Sequence, residues 1–215
     1  EKLAVAYAEQ TKNSTGKSET LTQTLDKNFS GTEKTVATAL LDGDKYKASA
    51  AKMKLATEGW LFTDKEAIYK ELEKTDKNDP ELHKKIIEAY NKEYGQGPKG
   101  QNLDAMINEN FSGLDQDKAQ MLKDKGKLDD TFAMKYAMHG SWLSTDKELI
   151  KKTLEGKDAE QVKTLVAQYQ KDYQIDLRKE LQENTSGRAG FEIGQLMKGE
   201  PKTPEERLAR AEESY

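Results

Sequence analysis

The sequence predicts an all-α fold built from a repeated bundle of five helices. Three observations predict it. The chain matches itself at an offset of 82 residues, apolar side chains recur at three- and four-residue spacing, and only four prolines interrupt 215 residues. The self-match is clearest at Thr63-Asp64-Lys65-Glu66 against Thr145-Asp146-Lys147-Glu148, and at Phe29-Ser30-Gly31 against Phe111-Ser112-Gly113. "LTQTLDKNFSG" (21–31) overlies "LDAMINENFSG" (103–113), and "LRKELQENTSG" (177–187) follows the latter at an offset of 74. The offset shrinks because the loops "DKNDP" (76–80) and "GQGPKG" (95–100) are shorter in the last copy. Length changes confined to loops are what repeated helices allow.

The elements of one unit follow in order. The first helix is "YKASAAKMKLAT" or "DDTFAMKYAMH", each running into a Trp-Leu loop. The second starts at Thr-Asp-Lys-Glu and carries Ile68 and Leu72, or Ile150 and Leu154, four residues apart on one face. The third starts near Asp79-Pro80, where Asp suits a cap and Pro the first turn. Its stripe is Leu82, Ile86, Ile87, Tyr90 and Tyr94, answered by Val162, Leu165, Val166, Tyr169 and Tyr173. The fourth is "NLDAMINENF", and the fifth follows a Ser-Gly turn. Residues 1–43 hold only the last three helices of a unit, 44–126 and 127–199 are full units, and 200–215 open a further helix. This phase is expected of a piece of a longer array, in which neighbours bury one another's faces.

Charged and hydrophobic residues each make up 34% of the chain, so the core must come from thin apolar stripes on many helices. The mean hydropathy of −0.96 agrees. A net charge of −4 speaks against a nucleic-acid partner, which needs a basic footprint, but leaves a membrane surface open if lysines gather on one face. Without cysteine there is no disulfide, thiol nucleophile or zinc–cysteine site. No run approaches the 18 or so apolar residues of a membrane span, and no signal peptide is visible, so a soluble or peripheral chain is expected, with its compartment open.

Thr-Asp-Lys-Glu reads as a capping box, with the Thr hydroxyl on the third amide and the Glu reaching back. Trp60, Leu61, Phe62, Trp142 and Leu143 leave two readings open. They fold back as a hydrophobic staple, or they form loop tips that enter a membrane interface or a protein partner. "TKNSTGKS" (11–18) has Thr11 where a phosphate-binding loop needs its first glycine, and reads as a solvated loop. His83 and His139 stand at different points of their repeats, and no nucleophile or metalloprotease motif is present, so no enzyme is expected.

With "GWLFTDKE", "MHGSWLSTDKE" and the three Ser-Gly turns in view, the pattern resembles the annexin repeat, in a divergent form comparable to giardin-like or bacterial annexin-like proteins. The resemblance implies a right-handed superhelical stack with the loops after the first and fourth helices on one convex face. It also implies peripheral binding to acidic phospholipid through calcium. The donors would be loop carbonyls at Gly59 and Gly140, completed by Glu109 and Asn110 or by Glu183 and Asn184. The chain departs from the pattern in two places. Phe62 and Ser144 replace the loop glycine before Thr, and Asn28, Asn110 and Asn184 stand where an acid is needed. An Asn oxygen ligates calcium without charge. Glu109 and Glu183 lie one residue earlier, about 100° around the helix.

The expected function is therefore a membrane-surface module whose Trp-Leu tips insert shallowly. The alternative is a calcium-independent scaffold or targeting domain of a larger secreted or cytoskeletal protein.

Overall fold

The computed structural model describes residues 20–59, 61–98, 100–140 and 144–212. The segment 11–18, Trp60, Trp142 and Leu143 lie outside the described residues. Among the described residues every regular element is a helix, apart from one isolated parallel bridge between Asp158 and Glu200. None of the described helices is long and apolar enough to cross a membrane.

The chain divides into two compact units, Glu1–Lys127 and Leu128–Tyr215. The first contains α1 (Leu21–Asn28), α2 (Gly31–Leu41), α3 (Lys45–Thr57), α4 (Lys65–Leu72), α5 (Leu82–Tyr94), α6 (Leu103–Asn110) and α7 (Gly113–Lys125). The second contains α8 (Asp130–His139), α9 (Lys147–Leu154), α10 (Ala159–Tyr173), α11 (Leu177–Asn184), α12 (Gly187–Leu196) and α13 (Pro204–Glu212). Within the first unit α3 packs on α4 and α5, α4 on α7, and α5 on α6. Within the second α8 packs on α9 and α10, α9 on α12, and α10 on α11. The same pairings thus recur in the same chain order.

The apolar stripes explain these contacts. Ile68 and Leu72 on α4, and Ile150 and Leu154 on α9, are fully buried. On α5 and α10 the buried residues are Leu82, Ile86 and Tyr90, and Val162, Leu165 and Tyr169, while Ile87, Tyr94, Val166 and Tyr173 are half-buried at the stripe edge. The second core is completed by Met134, Met138, Leu177, Leu181, Ile193 and Met197.

The Ser-Gly turns have a backbone cause. Gly31, Gly113 and Gly187 have φ of 53°, 56° and 61°, the left-handed region that a side chain disfavours, and each follows a Ser in extended conformation. Only two residues separate the flanking helices there, and the dipeptide marks all three copies.

Three helix starts differ from the expectation. The caps of α4 and α9 are Asp64 and Asp146, whose carboxylates accept from the N–H groups of Ala67 (3.0 Å) and Leu149 (2.9 Å). The threonines one residue earlier are not the caps, so the capping box is not formed. Asp79 does not cap α5 either, which starts two residues after Pro80. Its carboxylate instead accepts from Tyr46 Oη at 2.6 Å and Lys85 Nζ at 2.8 Å, with Lys45 Nζ at 3.2 Å. Two ammonium groups and a phenol hold a carboxylate more strongly than one helix amide does.

Candidate functional site

The loop between α3 and α4 is defined by how it closes. Asp64 N–H donates to Ala56 O at 2.8 Å, bringing the loop's end back to the last turn of α3. Asp146 N–H donates to Ala137 O at 2.7 Å at the matching place in the second unit. These bonds fix the register between the repeats. Ala56 corresponds to Ala137 and Asp64 to Asp146, so the second loop carries one extra residue. Gly59 lies inside the first closure, and a Cβ on it would come within 2.6 Å of Phe62 O. Gly140 has the same constraint, a Cβ there meeting Tyr136 O at 2.6 Å. Both glycines serve the turn's tightness.

The loop base is anchored. Thr63 Oγ1 donates to Asn110 Oδ1 at 2.7 Å, tying the loop to the C-terminal end of α6. Lys65 Nζ donates to Asp115 Oδ2 at 2.6 Å, Tyr69 Oη donates to Asp115 O at 3.2 Å, and Lys118 Nζ sits 4.0 Å from the Tyr69 ring centroid. The described residues of the tip are exposed instead, Leu61 at 68% and Phe62 at 83%. The staple reading therefore does not describe Leu61 or Phe62.

The resemblance places calcium donors at Glu109, Asn110, Glu183 and Asn184, and each of these side chains has a polar partner within the chain. Asn110 accepts from Thr63 and donates its amide to Met106 O at 2.9 Å. Asn28 and Asn184 make the same backward bond, to Thr24 O at 2.8 Å and Glu180 O at 2.9 Å, which occupies a carbonyl of the last helical turn. Glu109 accepts from Gln101 Nε2 at 2.5 Å, and Glu183 lies 3.9 Å from Lys179 Nζ. Among the described residues no three acidic or histidine side chains converge to hold a metal ion. Calcium needs six to eight oxygens, and the side chains at these positions do not fit that requirement.

The second unit holds a polar cluster that periodicity alone gave no reason to expect. Glu180, buried on α11, accepts from Tyr169 Oη at 2.6 Å and from His139 Nε2 at 2.5 Å. Burial first, and the Glu180 contact second, push the Tyr169 phenol well above its usual value. In the first unit Met106 occupies the Glu180 position, and Tyr90 Oη is buried without a partner among the described residues. His139 was legible in the sequence as one of two histidines, but its partner Glu180 lies 41 residues away.

No protein-family model matches the chain, and no curated protein does. Among solved structures the chain is similar to chicken annexin V, at 20% identity and a TM-score of 0.37, covering 79% of this chain and 51% of that one. It is similar to annexin III at 20% identity and a TM-score of 0.39, covering 83% and 55%. It is similar to calcium-bound alpha-11 giardin at 13% identity and a TM-score of 0.39, covering 91% and 62%. The chain thus spans between half and two thirds of the length of these structures. Likenesses at this level decide nothing about the site, whose chemistry is that of this chain's own residues.

Proposed function

We propose that the chain is an annexin-like membrane-surface module that binds acidic phospholipid peripherally, with Leu61 and Phe62 entering the interface. The observation that carries this reading is an exposed apolar tip on an anchored base. Phe62 and Leu61 stand 83% and 68% exposed on a loop closed by Asp64–Ala56 and tied by Thr63–Asn110. Fully burying a Leu or Phe side chain gains about 1.5–3 kcal/mol, and an anchored loop loses little entropy when it docks. Trp60, Trp142 and Leu143 extend the pattern by sequence, and Trp favours the headgroup level of a bilayer. Tips from two repeats would raise the apparent affinity by avidity. Calcium carries no step in this reading. The reading includes the repeats 44–126 and 127–199 as five-helix units, supported by the helix pairings that recur in both.

The test is co-sedimentation with phosphatidylserine/phosphatidylcholine vesicles. The unaltered protein should pellet, and the double variant Leu61→Ser/Phe62→Ser should stay in the supernatant. Equal pelleting by the variant would refute the tip. No pelleting by either would favour the scaffold or targeting domain, with the same tip facing a protein partner.

A further inference from the structure

A hollow of about 660 Å³ is lined by Leu55, Ala56 and Ala67 together with Phe62 of the exposed tip. Three lysines stand around it: Lys52 from α3, Lys70 from α4, and Lys74 just past the end of α4. We propose that Lys52, Lys70 and Lys74 seat the phosphate of an anionic phospholipid headgroup directly, so that the chain grips acidic membranes without a calcium bridge. This inference rests on the membrane reading of the tip and names what that tip meets.

Charge is the first argument. Two acids line the same hollow, Asp64 and Glu71, and both are occupied. Asp64 caps α4, and the buried Glu71 accepts from Lys74 Nζ, which also donates to Ser49 Oγ at 3.0 Å. Lys52 and Lys70 make no hydrogen bond or ion pair among the described residues. Two ammonium-bearing side chains, unpaired among the described residues, thus line a hollow that also holds apolar side chains, on a chain whose net charge is −4. An anionic headgroup over apolar tails supplies what this arrangement lacks: a phosphate for the ammonium groups and hydrocarbon for Phe62 and Leu61.

The repeat supplies the second argument. In the register fixed by Ala56 and Ala137, the residue matching Lys52 is the buried Ala133. From Asp64 and Asp146 onward, Lys74 matches Gly156, Glu71 matches Thr153 and Phe62 matches Ser144; only Lys70 has a basic counterpart, Lys152. The fold therefore forms its first and second helices without this cluster. Lys52 and Lys74 appear only where the apolar tip carries Phe62, which ties the charge to the tip.

The experiment measures vesicle binding in chelator. Lys74 holds a buried acid, so the test variant is Lys52→Gln/Lys70→Gln. The unaltered protein should bind acidic vesicles as well in chelator as in calcium, and more weakly as salt rises. The lysine variant should bind acidic vesicles roughly thirtyfold more weakly, the loss expected of two lysines near an anionic surface, and neutral phosphatidylcholine vesicles unchanged. Equal binding of the lysine variant to acidic vesicles would overturn the seat while leaving the tip intact. Binding that requires calcium would also overturn the seat. Loss on neutral vesicles too would show a structural role for the lysines and overturn it as well. Displacement by inorganic phosphate, where chloride of equal ionic strength fails, would assign the seat to a free phosphate ligand instead. Loss of binding by the tip variant alone would leave the membrane reading and refute the seat.

Discussion

Tyr169 donates its phenolic proton to the buried Glu180 at 2.6 Å, whereas the hydroxyl of its repeat counterpart Tyr90 is buried without a partner among the described residues. One residue type at one position of the repeat therefore has opposite energetics in the two units. A buried donor with no acceptor costs about 1–3 kcal/mol, and a satisfied one contributes about 0.5–1.5 kcal/mol, more toward a charged group. Tyr90→Phe should leave stability unchanged or raise it by about 1 kcal/mol. Tyr169→Phe should lower it by about 1–3 kcal/mol, because Glu180 loses a donor. Urea unfolding of both variants measures the difference, and equal losses would refute the assignment. A third phenol, Tyr94, predicts an alkaline limit. Burial first, and the charges of Glu93 and Glu58 second, push Tyr94 up from 10.0 to about 12. A phenol raised in the folded state ionises first in the unfolded chain. Its contribution is therefore present below pH 10 and is lost as pH climbs through 12.

Asp79 joins the start of α3 to the start of α5, and its hydrogen bonds from Lys85 first, then Tyr46, and then Lys45 hold its carboxyl far below the usual range. A carboxylate depressed in the folded state is protonated first in the unfolded chain. Its contribution is present above the ordinary value of 3.8 and is lost as pH falls below it. Asp79→Asn should lower the urea midpoint at pH 7 and flatten the acid limb of the stability–pH curve. An unchanged acid limb would mean that Asp79 does not govern it.

Gly194 and Gly199 should respond oppositely to alanine. A Cβ on Gly194, inside α12, meets nothing within 4 Å, so Gly194→Ala should stabilise by about 0.5–1 kcal/mol through helix propensity. Gly199 has φ of 79°, and a Cβ there would lie 2.2 Å from Ala159 N. Gly199→Ala should destabilise by more than about 1 kcal/mol. Thermal unfolding of the pair is the check.

Much of the helical layout was legible because it is local. The four-residue spacing of Ile68 and Leu72, or Ile150 and Leu154, names the buried face, and a burial pattern of period 3.6 needs no knowledge of the partner. The Ser-Gly turns were legible for the same reason, since Gly at 31, 113 and 187 answers a backbone demand. The cap of α4 was not. Thr63 and Asp64 are both competent caps, and Asp64 takes the role while Thr63 bonds Asn110, 47 residues away.

The candidate site divides along the same line. The sequence by itself determined that Trp60, Leu61 and Phe62 precede a helix start, that the unit repeats, and that asparagines stand where the annexin pattern needs acids. Tertiary structure decided that Leu61 and Phe62 are exposed, that the second loop is one residue longer inside its closing bond, and that Asn110 is engaged by Thr63. It also brought Lys52 to the same hollow as Lys70 and Lys74, and His139 to Glu180. Helical periodicity is written in neighbours three and four residues apart. The pairing of charges and hydroxyls is set by which helices pack together, and these partners stand 18 to 47 residues apart along the chain.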